Sequence, residues 1–117
     1  MLALTGAQRI LLYSTATDMR KSFDGLAGLV RQHFDEQLYS GALYVFLNRR
    51  RTLVKILYWD RDGLAVWSKR LERGTFRLPQ AQEGRVELKA VELSMLLAGV
   101  TPRRINVRYE RPPAVSA

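Results

Sequence analysis

The residues of this chain best suited to chemistry are cations set at turns and strand ends, and phosphate is what they suit. Arg20 and Lys21 open a helical pattern, Arg49, Arg50 and Arg51 fill a turn, Lys55 lies in the next apolar run, and Lys69, Arg70 and Arg73 close another. Guanidinium groups make planar, bidentate contacts with phosphate and carboxylate, and three on one hairpin tip can act together. The chain carries 19 Lys and Arg against 11 Asp and Glu, a formal charge of +8, and most of these cations are Arg. A polyanion, nucleic acid above all, or an acidic protein surface accounts for that balance. The Arg share alone also follows from GC-rich codon usage, and each cationic cluster has a plain reading as a solvated turn. Tyr44, Tyr58, Trp59 and Trp67 interleave with the cations, where they can stack on unpaired bases or fill a core.

Catalysis finds little in the residue inventory. His33 is the single histidine, near the end of an amphipathic pattern and without a nucleophile in a recognisable elbow. The lack of Cys excludes thiol nucleophiles, thiolate metal sites and redox motifs. Asp60-Arg61-Asp62-Gly63 begins like a calcium loop but lacks the third oxygen ligand and the closing Glu, so a hairpin turn is the better reading. Asp18, Asp60 and Glu72 can be imagined as the metal-binding acids of a phosphoryl transferase, yet Asp18 and Glu72 sit among cations that would pair with them. Neither a phosphate-cradling glycine loop nor a dinucleotide fingerprint occurs. The expectation is a non-enzyme with no metal and no cofactor.

The elements that must position the cations follow from hydrophobic periodicity. With 117 residues and 47% hydrophobic composition, residues 1–111 read as a single domain and 112–117, which include Pro112 and Pro113, as a disordered tail. Arg9 to Ser14 is a short strand. Thr17 or Asp18 caps a helix running to about Phe34, whose buried face carries Phe23, Leu26, Ala27, Val30 and Phe34. Close packing is expected at Gly25 and Gly28. Ala42 to Asn48, Leu53 to Asp60 and Leu64 to Leu71 form an antiparallel meander, because their connections are too short for anything else. Thr75 to Leu78 is expected as a fourth strand, Arg85 to Leu88 as an extended piece, Ala90 to Ala98 as a short helix stopped by Gly99, and Arg104 to Tyr109 as a last strand. The class is α+β: a mostly antiparallel sheet with both helices packed on one face.

Five ordered motifs give the pattern a name. Thr17-Asp18-Met19-Arg20-Lys21-Ser22-Phe23-Asp24-Gly25-Leu26, Leu43-Tyr44-Val45-Phe46 with Asn48-Arg49-Arg50, Val54 to Asp60 with Gly63, Trp67 to Glu72 with Gly74 and Phe76, and Leu93 to Gly99 follow one another over about residues 9 to 100. Together they resemble the TnpB-type accessory protein, the second open reading frame product, of the insertion-sequence sixty-six transposon family. The resemblance implies a gene beside a DDE-type transposase and a protein that assists transposition, with no assigned catalytic residues. DNA binding is inferred from charge and not from the resemblance.

Three functions compete. The first is a non-catalytic accessory factor that binds DNA at the element ends through Arg20, Lys21, Arg49, Arg50, Arg51, Lys55, Lys69, Arg70 and Arg73. The second is an interaction subunit that docks on the transposase of the same element without binding DNA. The third is a nuclease or phosphoryl transferase built on Asp18, Asp60 or Glu72. A cytoplasmic protein without membrane contact is expected, and a strand such as Arg104 to Tyr109 either lies at an edge, where it offers a route to a homo-oligomer, or equally lies inside the sheet.

Overall fold

The structure, a computed structural model, describes residues 8–34, 38–78 and 85–99. Its elements are β1 (Ile10–Tyr13), α1 (Phe23–His33), a 3-10 turn (Leu38–Ser40), β2 (Leu43–Leu47), β3 (Leu53–Asp60), β4 (Gly63–Arg70), β5 (Arg85–Leu88) and α2 (Ala90–Leu97). The expected strand over Arg104 to Tyr109 and the tail over 112–117 lie outside the described residues.

The fold is α+β, built on a mixed five-stranded sheet in the order β4-β3-β2-β1-β5. The short turns after β2 and β3 force the antiparallel meander β2-β3-β4, as expected. Two pairings depart from a purely antiparallel sheet. β1 runs parallel to β2, with Ile10 beside Leu43 and Tyr13 beside Phe46, and α1 supplies the crossover that a parallel pair requires. β5 closes the other side of β1 antiparallel, with Arg85 beside Tyr13. Thr75 to Leu78 forms no strand. Instead the Phe76 N–H donates to the Arg51 carbonyl at 2.7 Å and the Phe76 ring is buried against the sheet.

Both faces of the sheet are apolar, which places the helices on opposite faces and not on one. Ile10, Leu12, Leu43, Val45, Val54 and Ile56 point to one side, where Leu93 and Leu96 of α2 and Phe76 cover them. Leu11, Tyr44, Phe46 and Leu57 point to the other, under Leu26, Ala27 and Val30 of α1. β2 is buried at every position, so neither side can be left to water.

The first helix is shorter than its pattern suggests. Thr17 is buried with its N–H bonded to the Leu47 carbonyl at 2.8 Å, and the Asp18 side chain accepts the Arg20 N–H at 2.9 Å in a tight local turn. Neither caps α1. Its N-cap is Ser22, without a side-chain cap bond, and Phe23, expected in the core, is 47% exposed because it precedes the turn that meets the sheet. A Cβ on Gly25 would stand 3.0 Å from Lys21 side-chain carbons, whereas one on Gly28 would meet open space, so close packing governs only the first of these two glycines. The short helix α2 matches its expected range, and Gly99 follows it at φ +83°.

Two-sided burial has a measurable consequence. Leu11→Ala and Leu12→Ala face opposite layers, and each should destabilise by about 2–5 kcal/mol in urea unfolding. A sheet with one open face would leave one of the pair nearly neutral.

Candidate nucleic-acid interface

The register gathers the cations that the sequence scatters. Ser68, Lys55, Phe46, Tyr13 and Arg85 lie in one row across the five strands. Beyond that row, at the same end of the sheet, come the loop 14–22 after β1, the hairpin 48–52 between β2 and β3, and the end of β4 with the turn that follows it. Arg20, Lys21, Arg49, Arg50, Arg51, Lys55, Lys69, Arg70 and Arg73 therefore share one end of the molecule, which also holds the start of α1. The far end carries the turn Asp60-Arg61-Asp62-Gly63 and the Arg9–Glu87 ion pair at 2.8 Å.

The Arg49-Arg50-Arg51 tip is held by its stem. Asn48 Oδ1 accepts the N–H groups of Thr52 (2.9 Å) and Leu53 (3.1 Å), and Asn48 Nδ2 donates to Thr52 Oγ1 at 3.1 Å. The Arg51 N–H bonds the Asn48 carbonyl at 3.0 Å, and Arg51 itself turns the chain at φ +59°. From below, Phe76 N–H reaches the Arg51 carbonyl and Leu71 N–H the Thr52 carbonyl. The backbone is braced while all three guanidinium groups are exposed, and none forms an ion pair with a described residue. Lys21 and Arg73 share that condition.

Other members of the cluster already hold partners. Arg20 grips the Asp18 carboxylate with Nε at 3.1 Å and Nη2 at 2.7 Å, which holds the carboxyl well below the ordinary Asp range and raises the guanidinium. Arg70 contacts Glu72 at 3.4 Å with both side chains mostly exposed, a pair of little energetic weight. Lys69 Nζ donates to the Leu97 carbonyl at 3.1 Å, putting a cation at the C-terminal end of α2, where the exposed carbonyls favour it. Lys55 is the most committed. From the α1 side of β3 its ammonium donates to the Met19 and Lys21 carbonyls, both at 2.8 Å, and thereby pins the loop that carries Arg20 and Lys21. Its role in the structure is to position neighbouring cations. Sequence reasoning missed this role and that of Asn48. For Asn48 a signal existed, since Asn before a tight turn commonly accepts backbone N–H groups two or more residues on.

The aromatic residues do not join the cations. Tyr44 and Tyr58 are core, and burial together with nearby Asp60 pushes the Tyr58 phenol up. Trp67 is half-buried against the α2-side core. Trp59 pairs edge-to-face with Tyr39 at 4.7 Å, and its indole N–H donates to the Arg61 carbonyl at the far end. The acids do not converge either. Asp60 is separated from Asp18 and Glu72 by the length of β3, roughly 23 Å for eight residues. Among the described residues no group of three His, Asp or Glu could hold a metal ion. His33 stacks on Tyr13 at 4.8 Å and its Nε2 lies 3.3 Å from the tyrosine hydroxyl. No helix of the described residues is long and apolar enough to cross a membrane.

A family model for IS66 Orf2-like proteins matches residues 8–107, a span that takes in both layers and the whole cationic end. The chain belongs to the IS66 Orf2-like family. This is a family of insertion-sequence accessory proteins with no recognised catalytic role. Two proteins of Sinorhizobium fredii are similar to it. Uncharacterized protein y4jC is 30% identical over 109 residues, 92% of this chain and 93% of its own. Uncharacterized protein y4hO is 35% identical over 92 residues, 79% and 80% respectively. No solved structure matches the chain.

Two measurements test this geometry. Lys55→Met strands two carbonyls and should cost about 1–3 kcal/mol, with faster amide exchange in residues 19–22 than in β4. Asp18→Asn tests the Arg20 pair. Because the folded carboxyl is lowered, its stabilisation is present above the unfolded value near 4 and fades as pH falls through the folded one. The stability gap between wild type and Asp18→Asn should therefore be flat from pH 7 to about pH 5 and shrink below about pH 3.

Proposed function

We propose that this protein is a non-catalytic accessory factor that binds the DNA of its insertion sequence through the cationic end of the sheet. The observation that carries this reading is the meeting, at one end, of the loop after β1, the β2–β3 hairpin and the end of β4. Each brings Arg or Lys from a different stretch of sequence, and Arg49, Arg50 and Arg51 are exposed and form no ion pair with a described residue. Three guanidiniums on a braced turn meet successive phosphates with little loss of backbone freedom. Lys21 and Arg73 extend the same surface. Lys55, Lys69 and Arg20 contribute field more than contacts, since each already has at least one donor engaged elsewhere.

The chemistry is phosphate recognition. Tyr44 and Tyr58 lie in the core, Trp67 is half-buried against it and Trp59 lies at the far end, which favours backbone contacts over base stacking. Cations that neutralise phosphates release counterions on binding, so affinity is expected to fall with salt and to depend weakly on sequence. The transposase is the natural protein partner of such a factor.

The test is a titration of labelled element-end duplex and a scrambled duplex at about 50 and 200 mM salt. Wild type should bind both, with log affinity falling by about 0.9 per log unit of salt for each phosphate contacted. Arg49→Ala, Arg50→Ala and Arg51→Ala together should reduce that slope by about two to three and leave the melting temperature within about 2 °C. No binding at low salt would assign the cationic end to an acidic surface of the transposase instead.

A further inference from the structure

β4 is an edge strand of eight residues, and its outer side pairs with no described strand. Soluble proteins blunt such edges with central charges, prolines or bulges. Here the middle of the strand, Leu64-Ala65-Val66-Trp67-Ser68, has none of them, and its charges stand only at the two ends. Those ends differ in sign. Asp60 and Asp62 flank the start of β4, while Lys69 and Arg70 close it.

Which backbone groups face outward is fixed by the ladder. Asn48 N–H bonds Leu53, so Leu53, Lys55 and Leu57 exchange bonds with β2 while Val54, Ile56, Tyr58 and Asp60 turn to β4. The β4 partners of those four are Lys69, Trp67, Ala65 and Gly63. The N–H and C=O groups of Leu64, Val66, Ser68 and Arg70 therefore point away from the sheet. A two-fold pairing must join these outward residues to one another. Centring it on Val66 puts Val66 against its own copy, Leu64 against Ser68, Trp67 against Ala65, and Arg70 against Asp62, each of the last three twice. Shifting the centre to Trp67 sets Asp62 against Glu72 and Arg61 against Arg73. Shifting it to Ala65 sets Arg61 against Lys69. A parallel pairing lays the Lys69-Arg70 ends side by side.

We propose that the β4 edge is a homodimerisation surface, on which a second copy of this chain pairs antiparallel about a two-fold axis at Val66 to form one continuous sheet. Large meets small at Trp67 and Ala65, and opposite charges meet at Arg70 and Asp62. The two cationic ends then face in opposite directions. This assignment does not depend on what those ends bind.

The test uses the full chain, which contains no cysteine. Light scattering coupled to gel filtration should give twice the 13.4 kDa chain mass at micromolar concentration. Val66→Cys sits on the axis with the two Cα atoms about 5.5 Å apart, within disulfide reach, and should crosslink on mild oxidation. Ser68→Cys lies roughly 14 Å from its copy and should not. Asp62→Arg, an exposed turn position, should raise the dimer dissociation constant about tenfold, and Asp62→Arg with Arg70→Asp should restore it. A monomer mass throughout, crosslinking of Ser68→Cys as efficient as that of Val66→Cys, or no rescue by the charge swap would overturn the proposal.

Discussion

The structure depends on one constraint, which is that the two central strands have no polar face. β2 is buried at all five positions, and in β1 only Tyr13 is even partly exposed. Apolar surface on both sides of a sheet must be covered twice, at about 25 cal/mol for each Å² kept from water. That requirement assigns α1 to one side as the crossover between β1 and β2. It assigns α2 to the other, with Phe76 filling the space beside it. The parallel pairing of β1 and β2 belongs to the same solution, because a crossover helix covers a sheet as it reverses the chain.

With both faces closed, the ends and edges of the sheet are the places where charge can remain in water. The sites that carry the cations are the loops, and the parallel step brings the loop after β1 beside the β2–β3 hairpin. Net charge alone would spread the same groups around the surface. Here topology concentrates them, and Asp60, Asp62 and Glu87 fall toward the opposite end. The polarity of the molecule is thus a by-product of how the core is covered.

Within the cationic end, local chemistry divides the work. Lys55 has two of its three donors on backbone carbonyls, Lys69 has one, and Arg20 is bound to a carboxylate. These groups hold the scaffold of the end and keep their charge. Arg49, Arg50 and Arg51 are the reverse case, since the stem beneath them is tied by Asn48 and Phe76 while their side chains stand in solvent. A surface of this kind joins an ordered frame to exposed cations that form no ion pair with a described residue.

The sequence by itself determined the elements whose signals are local. The meander followed from two turns too short for any other connection, α2 from its apolar spacing and Gly99, and family membership from five motifs in order. The cations at turns were legible for the same reason. Tertiary structure decided what depends on partners distant in sequence. The direction of β1, the side taken by each helix, the late start of α1 and the buried place of Phe76 are set by which surfaces meet, and periodicity records only that a residue is apolar. Lys55 makes the point most directly. Its neighbours in sequence mark it as a cation on a strand, and its carbonyl partners lie 34 and 36 residues away, so only the packed chain could make it the post that holds the loop carrying Arg20 and Lys21.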